Sequence, residues 1–167
     1  KGSFMPMGLE DWEGATRLPS LTIGEARLQA QLGVSHFRLP PVTEDLGTTG
    51  RVDPMHSAPA IRFPKWHECP QCHRIGTEGN PFQLSADSSQ LECVGHGRPV
   101  YTTPVRFVLA CRKGHIDEFP WAWWAHRRRS AGICDRPTLE LKSRGKSAAL
   151  ADLYVHCKHC DSSQSLG

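Results

Sequence analysis

Seven cysteines in a chain of 167 residues constrain this fold more than any other feature of the sequence. An odd number of thiols cannot all pair in disulfides, and two pairs have the CxxC spacing that places two thiolates on one metal ion. The chain also contains 15 glycines and 13 prolines, which favours short elements and many loops. We therefore expect metal ligation in a reducing compartment, rather than a disulfide framework, to hold the chain in shape.

The first CxxC pair, Cys69 and Cys72 in CPQC, has a partner of the same spacing in CVGH. Zinc takes four sulfur or nitrogen ligands in a tetrahedron, and CVGH supplies Cys93 and His96. These four residues predict a closed Cys3His zinc site. Ordinary buried thiols are the alternative, but two matched half-sites favour the metal.

The second CxxC pair, CKHC, supplies Cys157 and Cys160 to a second predicted zinc site. The sequence does not decide the other two ligands of this site, because Cys111 can pair with either Cys134 or His115. We favour the all-cysteine set, since it uses every remaining thiol and leaves His115 to pack nearby or to make a second-shell hydrogen bond. The prediction is therefore two structural zinc ions and no thiol left for nucleophilic chemistry.

Short strands and two helices are predicted along the rest of the chain. TIGEARLQAQL, Thr22 to Leu32, has Thr22 as a possible N-cap and Glu25 in the capping-box position, and Gly33 ends it. Residues 120–129 also look helical, because proline suits a first helical turn. Strand candidates lie at 81–84, 91–93, 104–110, 138–143 and 152–157.

These elements indicate a small, loop-rich α+β fold, zinc-ribbon-like, with short antiparallel strands, one or two helices and two structural zinc sites. Three regions follow: 1–60, an N-terminal segment with one helix and a Pro/Gly-rich linker; 61–110, the first zinc knuckle; and 111–167, the second zinc ribbon with a basic helix. No apolar run is long enough to cross a bilayer.

The basic residues are concentrated in the second part of the chain. The net charge is +3, but from Arg98 onward twelve Lys and Arg stand against six Asp and Glu. Arg127, Arg128 and Arg129 lie at the C-terminal end of the second predicted helix, where we expect them to contact nucleic-acid phosphates, with Trp123 as the exposed tryptophan of that helix. A solvated basic helix end is the alternative.

A catalytic centre is the competing reading of GHIDEFPW. His115 and Asp117 can chelate a metal and Glu118 can act as a base, which would make the chain a metal-dependent nuclease or hydrolase. However, the sequence has no HExxH, phosphate-binding loop or serine elbow. Because acids beside a Pro-started helix also cap it, we favour capping and a non-catalytic chain.

Several blocks together resemble one known family. They are GLEDW, IRFPKWHECPQC, PVRFVLACRKGHIDEFPW, the lone Cys134 before PTLEL, and SAALADLYVHCKHCDSSQSL. In this combination the chain resembles the DrmB family of DISARM anti-phage defence systems, and the likeness covers most of its length.

The resemblance implies a bacterial cytoplasmic protein that partners a helicase subunit of the DrmA type and acts with it on invading DNA. The helicase would supply the ATP hydrolysis. Family members continue past SSQSL, so the chain looks like the zinc-binding portion of a larger protein or like a stand-alone trimmed relative. His96 stands where the resemblance implies a cysteine ligand, and it still suits zinc.

Overall fold

The computed structural model describes residues 3–12, 21–42, 57–87, 90–145 and 149–167. The chain divides into two compact units, one formed by residues 4–62 and the other by 1–3 together with 63–167. The predicted linker falls largely on 43–56, outside the described residues. The three predicted regions stay a prediction as domains, although the last two both contribute strands to one sheet.

In the described part of residues 4–62 there are two small antiparallel ladders, a 3-10 turn at Leu9–Asp11 and one α-helix. Strand β1 (Phe4–Pro6) pairs with β4 (Ala60–Arg62), and β2 (Thr22–Ile23) pairs with β3 (Phe37–Arg38). Helix α1 spans Ala26–Leu32.

The predicted start of the first helix is wrong, because Thr22 lies in β2. Glu25 is the N-cap, and its carboxylate accepts a hydrogen bond from the Leu28 N–H at 2.5 Å. The predicted end is confirmed, since Gly33 has φ 66° and its N–H bonds to the Gln29 carbonyl.

The second unit is built on a mixed sheet of short strands. They are β5 (His67–Glu68), β6 (Arg74–Glu78), β7 (Pro81–Leu84), β8 (Leu91–Cys93), β9 (Val100–Tyr101), β10 (Thr103–Pro104), β13 (Leu139–Ser143), β14 (Leu153–Cys157) and β15 (Ser163–Ser165). The strand order is β15-β14-β13-β6-β7-β8-β9, with β5 pairing both β6 and β10. Every ladder in this sheet is antiparallel except that between β6 and β7.

A separate two-stranded sheet and a short helix follow β10. Strands β11 (Val108–Ala110) and β12 (Ile116–Glu118) form an antiparallel hairpin. The single strand predicted over 104–110 is thus two short strands, with a break at 105–107. Helix α2 spans Trp121–His126, shorter than predicted, and packs against β13, β14 and β15.

The main core lies between α2 and one face of the sheet. Leu139 of β13 lies opposite both Ile75 of β6 and Cys157 of β14, so alternate residues of three strands face the same side. Trp121 and Ala125, one helical turn apart, are fully buried against this face. The core therefore fixes the position of α2 over the strand that ends at Cys157.

A second, smaller core contains Cys69, Phe82, Leu91 and Cys93. Half of its members are cysteines that the spacing predicts as metal ligands. So small an apolar cluster contributes little burial, and a bound metal would therefore contribute much of the order in this region. The predicted α+β class with short strands is confirmed, and the arrangement is consistent with a zinc-ribbon-like fold.

Candidate metal centres and basic surface

The first CxxC motif forms a tight turn between β5 and β6. The Cys69 N–H donates to the Arg74 carbonyl at 2.9 Å, and the His73 N–H donates to the Cys69 carbonyl at 2.8 Å. His73 has φ 59°, so the chain turns back immediately after Cys72. This closed turn holds the two thiols on one side of the backbone.

Cys93 at the end of β8 and His96 just beyond it meet this turn. Cys69 Sγ is 3.3 Å from His96 Nε2, and Cys72 Sγ is 4.0 Å from Cys93 Sγ. All four ligand atoms lie within 4.8 Å of one another. Bonds of about 2.3 Å to sulfur and 2.0 Å to nitrogen in a tetrahedron separate ligand atoms by roughly 3.3–3.8 Å. This first cluster, the set expected from the spacing, can therefore hold one metal ion.

The second CxxC motif has the same local structure as the first. The Cys157 N–H donates to the Ser162 carbonyl and the Asp161 N–H to the Cys157 carbonyl, both at 2.8 Å. Asp161 has φ 62°, matching His73 after the first motif. The chain thus builds the same two-thiol turn twice, once before β6 and once after β14.

The other two ligands of the second cluster are Cys134 and His126. Cys134 Sγ is 3.7 Å from Cys157 Sγ, and His126 Nε2 is 3.2 Å from Cys160 Sγ. These four ligand atoms also lie within 4.8 Å of one another. His126 Nδ1 is 2.6 Å from the Ala122 carbonyl, an arrangement that suits a proton on Nδ1 and leaves Nε2 to face the thiols.

The structure differs here from the all-cysteine set, because it places His126 where Cys111 was expected. Cys111 lies at the turn of the β11–β12 hairpin, where its Sγ is 3.4 Å from His115 Nδ1, and both residues are exposed. Neither residue joins the cluster. The hairpin is a separate sheet, whereas α2 packs directly over the strand that ends at Cys157.

The sequence prediction missed His126 because it assigned this end of the helix to a basic surface. One signal was present: His126 directly follows Ala125, which lies one turn after Trp121 on the buried face of α2. A histidine beside the buried stripe of a helix needs a polar partner, and here the thiols of the second CxxC motif supply it.

The thiols of each cluster differ in acidity. Burial opposes ionisation of Cys69, but hydrogen bonds from the backbone of Cys72 and Gln71 and from the His96 ring lower its pKa to about 7. Burial and the neighbouring thiols Cys69 and Cys93 raise the pKa of Cys72 to about 11. One thiol of the cluster is thus readily ionised, and a metal ion would favour the thiolate form of the others.

The second cluster repeats this contrast. Burial raises the pKa of Cys134 to about 11, and the thiols of Cys157 and Cys160 add to the effect. Burial also opposes ionisation of Cys160, but hydrogen bonds with the Ser162 side chain and backbone lower its pKa to about 6.

A buried glutamate lies between the two CxxC turns. Glu140 of β13 is opposite Arg74, which follows the first turn, and opposite His156, which precedes Cys157. Its carboxylate is 2.7 Å from Lys142 Nζ and 3.6 Å from His156 Nδ1. Burial opposes ionisation of Glu140, but Lys142, together with a second lysine and His156, holds its pKa below the ordinary value.

The acids of GHIDEFPW do not cap α2, contrary to prediction. Asp117 Oδ1 accepts from the Glu118 N–H at 2.7 Å, and Glu118 Oε1 accepts from the Lys65 N–H at 2.5 Å. The N-cap of α2 is Pro120, without a side-chain bond. Within the described residues, His115, Asp117 and Glu118 do not form a group with three ligand atoms close enough to share a metal.

The three arginines after α2 are exposed, but two of them are held by the chain. Arg127 stacks on Trp124 with its guanidinium carbon 3.7 Å from the ring centroid, and Arg129 Nη1 donates to the Gly132 carbonyl at 3.1 Å. Arg128 makes no hydrogen bond or ion pair with the described part of the chain. Trp123 is 54% exposed beside them.

No helix within the described residues combines the length and apolar character needed to cross a membrane.

Comparisons with known proteins agree with the resemblance seen in the sequence. The chain is 36% identical over 111 residues to the DISARM protein DrmB of Bacillus paralicheniformis, and the match covers 65% of this chain and 19% of that protein. The chain thus spans about a fifth of the length of the curated relative it matches. The predicted relationship to DrmB is confirmed. A family model described as a domain of unknown function, DUF8724, matches residues 1–167, and the chain belongs to that family.

Proposed function

We propose that this chain is a zinc-stabilised, non-catalytic module of a DISARM defence complex in the bacterial cytoplasm. The observation that carries the proposal is the pair of four-ligand Cys3His clusters, together with the similarity to DrmB. Four protein ligands around one ion leave no open position for substrate, which is typical of structural rather than catalytic zinc. Zinc is the ion expected for this donor set in a tetrahedron.

DNA contact is proposed for the basic end of α2. Arg128 is exposed and makes no charged or hydrogen-bonded contact with the described residues, so its guanidinium can reach a phosphate at little cost. Arg127 is held over Trp124 by stacking, which pre-orients it beside the exposed Trp123. We expect these residues to form a phosphate-binding surface, and we expect a DrmA-type helicase to supply the motor activity of the complex.

The DNA proposal is tested by the salt dependence of binding to a short duplex and to a single strand. Each phosphate contact contributes about 0.9 to the slope of log K against log salt on a duplex and about 0.7 on a single strand. Replacing Arg128 by Ala should reduce the slope by about 1, and replacing Arg127, Arg128 and Arg129 together should reduce it further.

A matched control removes two positive charges elsewhere. Arg112 and Lys113 lie at the turn of the β11–β12 hairpin, and replacing both by Ala changes the net charge without touching the end of α2. For each charge removed, we expect a smaller effect on the slope than in the triple variant. An unchanged slope in the triple variant, with both metal ions retained, would exclude this surface from the DNA interface.

A further inference from the structure

A cysteine and a histidine lie side by side at the turn of the β11–β12 hairpin, apart from both clusters. Cys111 Sγ and His115 Nδ1 are 3.4 Å apart, and both side chains are exposed. A sulfur and a nitrogen bound to one tetrahedral ion are separated by roughly 3.5 Å. The pair therefore already has the spacing of two ligands of a single ion.

The backbone of the turn holds this spacing. The Cys111 N–H donates to the His115 carbonyl, and the Gly114 N–H donates to the Cys111 carbonyl, both at 3.0 Å. Gly114 has φ 85°, a conformation that favours glycine. The ladder continues directly below the turn, with Ala110 opposite Ile116. The two ligands are thus presented together by a closed hairpin, not by two independent loops.

The remaining ligands are not supplied by the other cysteines of this chain. Six of its seven thiols lie in the two clusters, and no third group of three or more ligand atoms occurs within the described residues. An ion bound to Cys111 and His115 alone would be only half coordinated by protein. A closed site would therefore need ligands from outside the described residues.

The hairpin also offers a surface to which a second polypeptide chain can bind. β11 and β12 form a sheet of their own, and their outer edges pair with no other strand in the described ranges. Val108, Leu109 and Ile116 are 40%, 45% and 51% exposed. Unpaired strand edges with apolar side chains are a template for pairing with another chain.

We propose that Cys111 and His115 are one half of a third metal centre, completed by the same two residues of a second copy of this chain. A two-fold axis through the ion would give a Cys2His2 set, which is one of the common tetrahedral sets for zinc. The apolar strand residues would meet their own counterparts across the same axis. No ligand type foreign to the chain is needed.

The experiment measures oligomeric state and metal content on the same sample. The full chain, with both clusters loaded and a non-chelating reductant present, is dialysed and then titrated with Zn²⁺ during sedimentation. We expect a zinc-dependent dimer with about 2.5 ions per chain, because each dimer shares one ion beyond its four cluster ions. Co²⁺ in the shared position should show thiolate charge-transfer bands that appear together with the dimer.

Variants separate the shared ion from other causes of association. Cys111→Ser and His115→Ala should each abolish the zinc-dependent dimer while keeping about 2 ions per chain, because neither residue belongs to a cluster. Lys113→Ala, a change within the same turn, should still dimerise.

Three outcomes would overturn the proposal. One is a monomer with two ions at saturating zinc. Another is one additional ion per monomer without dimerisation. The third is a dimer that forms equally well in Cys111→Ser, because the apolar strands would then suffice. In all three cases the cluster ions remain, so the proposed function would be unaffected.

Discussion

His126 gives the sharpest test of the second cluster, because this histidine was not expected from the sequence to bind metal. The perturbation is His126→Ala, and the matched control is His115→Ala, which also removes an imidazole next to a thiol. His126 is 2% exposed and its Nε2 lies 3.2 Å from Cys160 Sγ, whereas His115 is exposed and lies outside both clusters.

The magnitude follows from the number of ligands. A structural zinc ion in a small domain contributes on the order of 10–16 kcal/mol of apparent binding energy at pH 7. One of four ligands therefore accounts for roughly 3 kcal/mol, which corresponds to about two orders of magnitude in metal affinity. We expect His126→Ala to lose the second ion to a chelator that the wild type resists, while the first cluster keeps its ion.

The assay is a competition titration with a chromophoric chelator after dialysis without added metal, combined with thermal unfolding. His126→Cys restores a fourth soft ligand and should hold the second ion more tightly than His126→Ala. If His126→Ala kept wild-type affinity for both cluster ions, or if His115→Ala lost a cluster ion, the assignment of the second cluster would be refuted.

Three further changes probe the sheet and its helix. Glu140→Gln should destabilise the protein by about 1.5 kcal/mol at pH 7. Because the folded pKa of this carboxyl is lowered, its contribution exists above the ordinary value of 4.5 and is lost as the pH falls through the folded value, so denaturant titrations of the two proteins should converge there. Gly76→Ala should cost about 2 kcal/mol in the same titration, since its new Cβ would overlap the Asn80 carbonyl. Trp121→Ala should cost about 3–5 kcal/mol, while the exposed Trp123→Ala should cost no more than about 0.5 kcal/mol, as read from thermal unfolding.

The first cluster was predictable from the sequence because the spacing within each half is local. Cys69 and Cys72 are set by a turn whose hydrogen bonds run between neighbouring residues, and Cys93 and His96 repeat that spacing at the end of a strand. Only the contact between the two halves is long-range. It could be expected from the sequence because the two halves together offer the four thiol and imidazole ligands of one zinc ion.

The fourth ligand of the second cluster was not predictable in that way. His126 is eight residues before Cys134, and it reaches Cys160 only because Trp121 and Ala125 anchor α2 on the sheet. That packing is a tertiary effect. The sequence places His126 beside the buried stripe of α2, but it does not indicate which thiols the ring reaches. The sequence prediction assigned Cys111 to this cluster because that assignment used every remaining thiol. Cys111 instead lies at the turn of the β11–β12 hairpin, which is a separate sheet.

The predicted N-terminal caps of the two helices were wrong for a related reason. Thr22 has the right chemistry for an N-cap, but the following residue, Ile23, pairs with β3 and cannot start a helical turn, so Glu25 takes the capping role instead. The acids before α2 likewise bond to the backbone of their own strand and of Lys65 rather than to the helix. In both places strand pairing or a long-range contact outweighed local preference.

Strand β13 joins the two clusters into one structural unit. It pairs with β6, which begins just after the first CxxC turn, and with β14, which ends in the second. On one face, Leu139 contributes to the main core beneath α2; on the other, Glu140 bonds to Lys142 and lies beside His156. We therefore expect a metal ion bound in either cluster to fix the end of a strand that pairs directly with β13. This arrangement explains how a chain rich in glycine and proline can keep α2, and the arginines at its end, in a defined position.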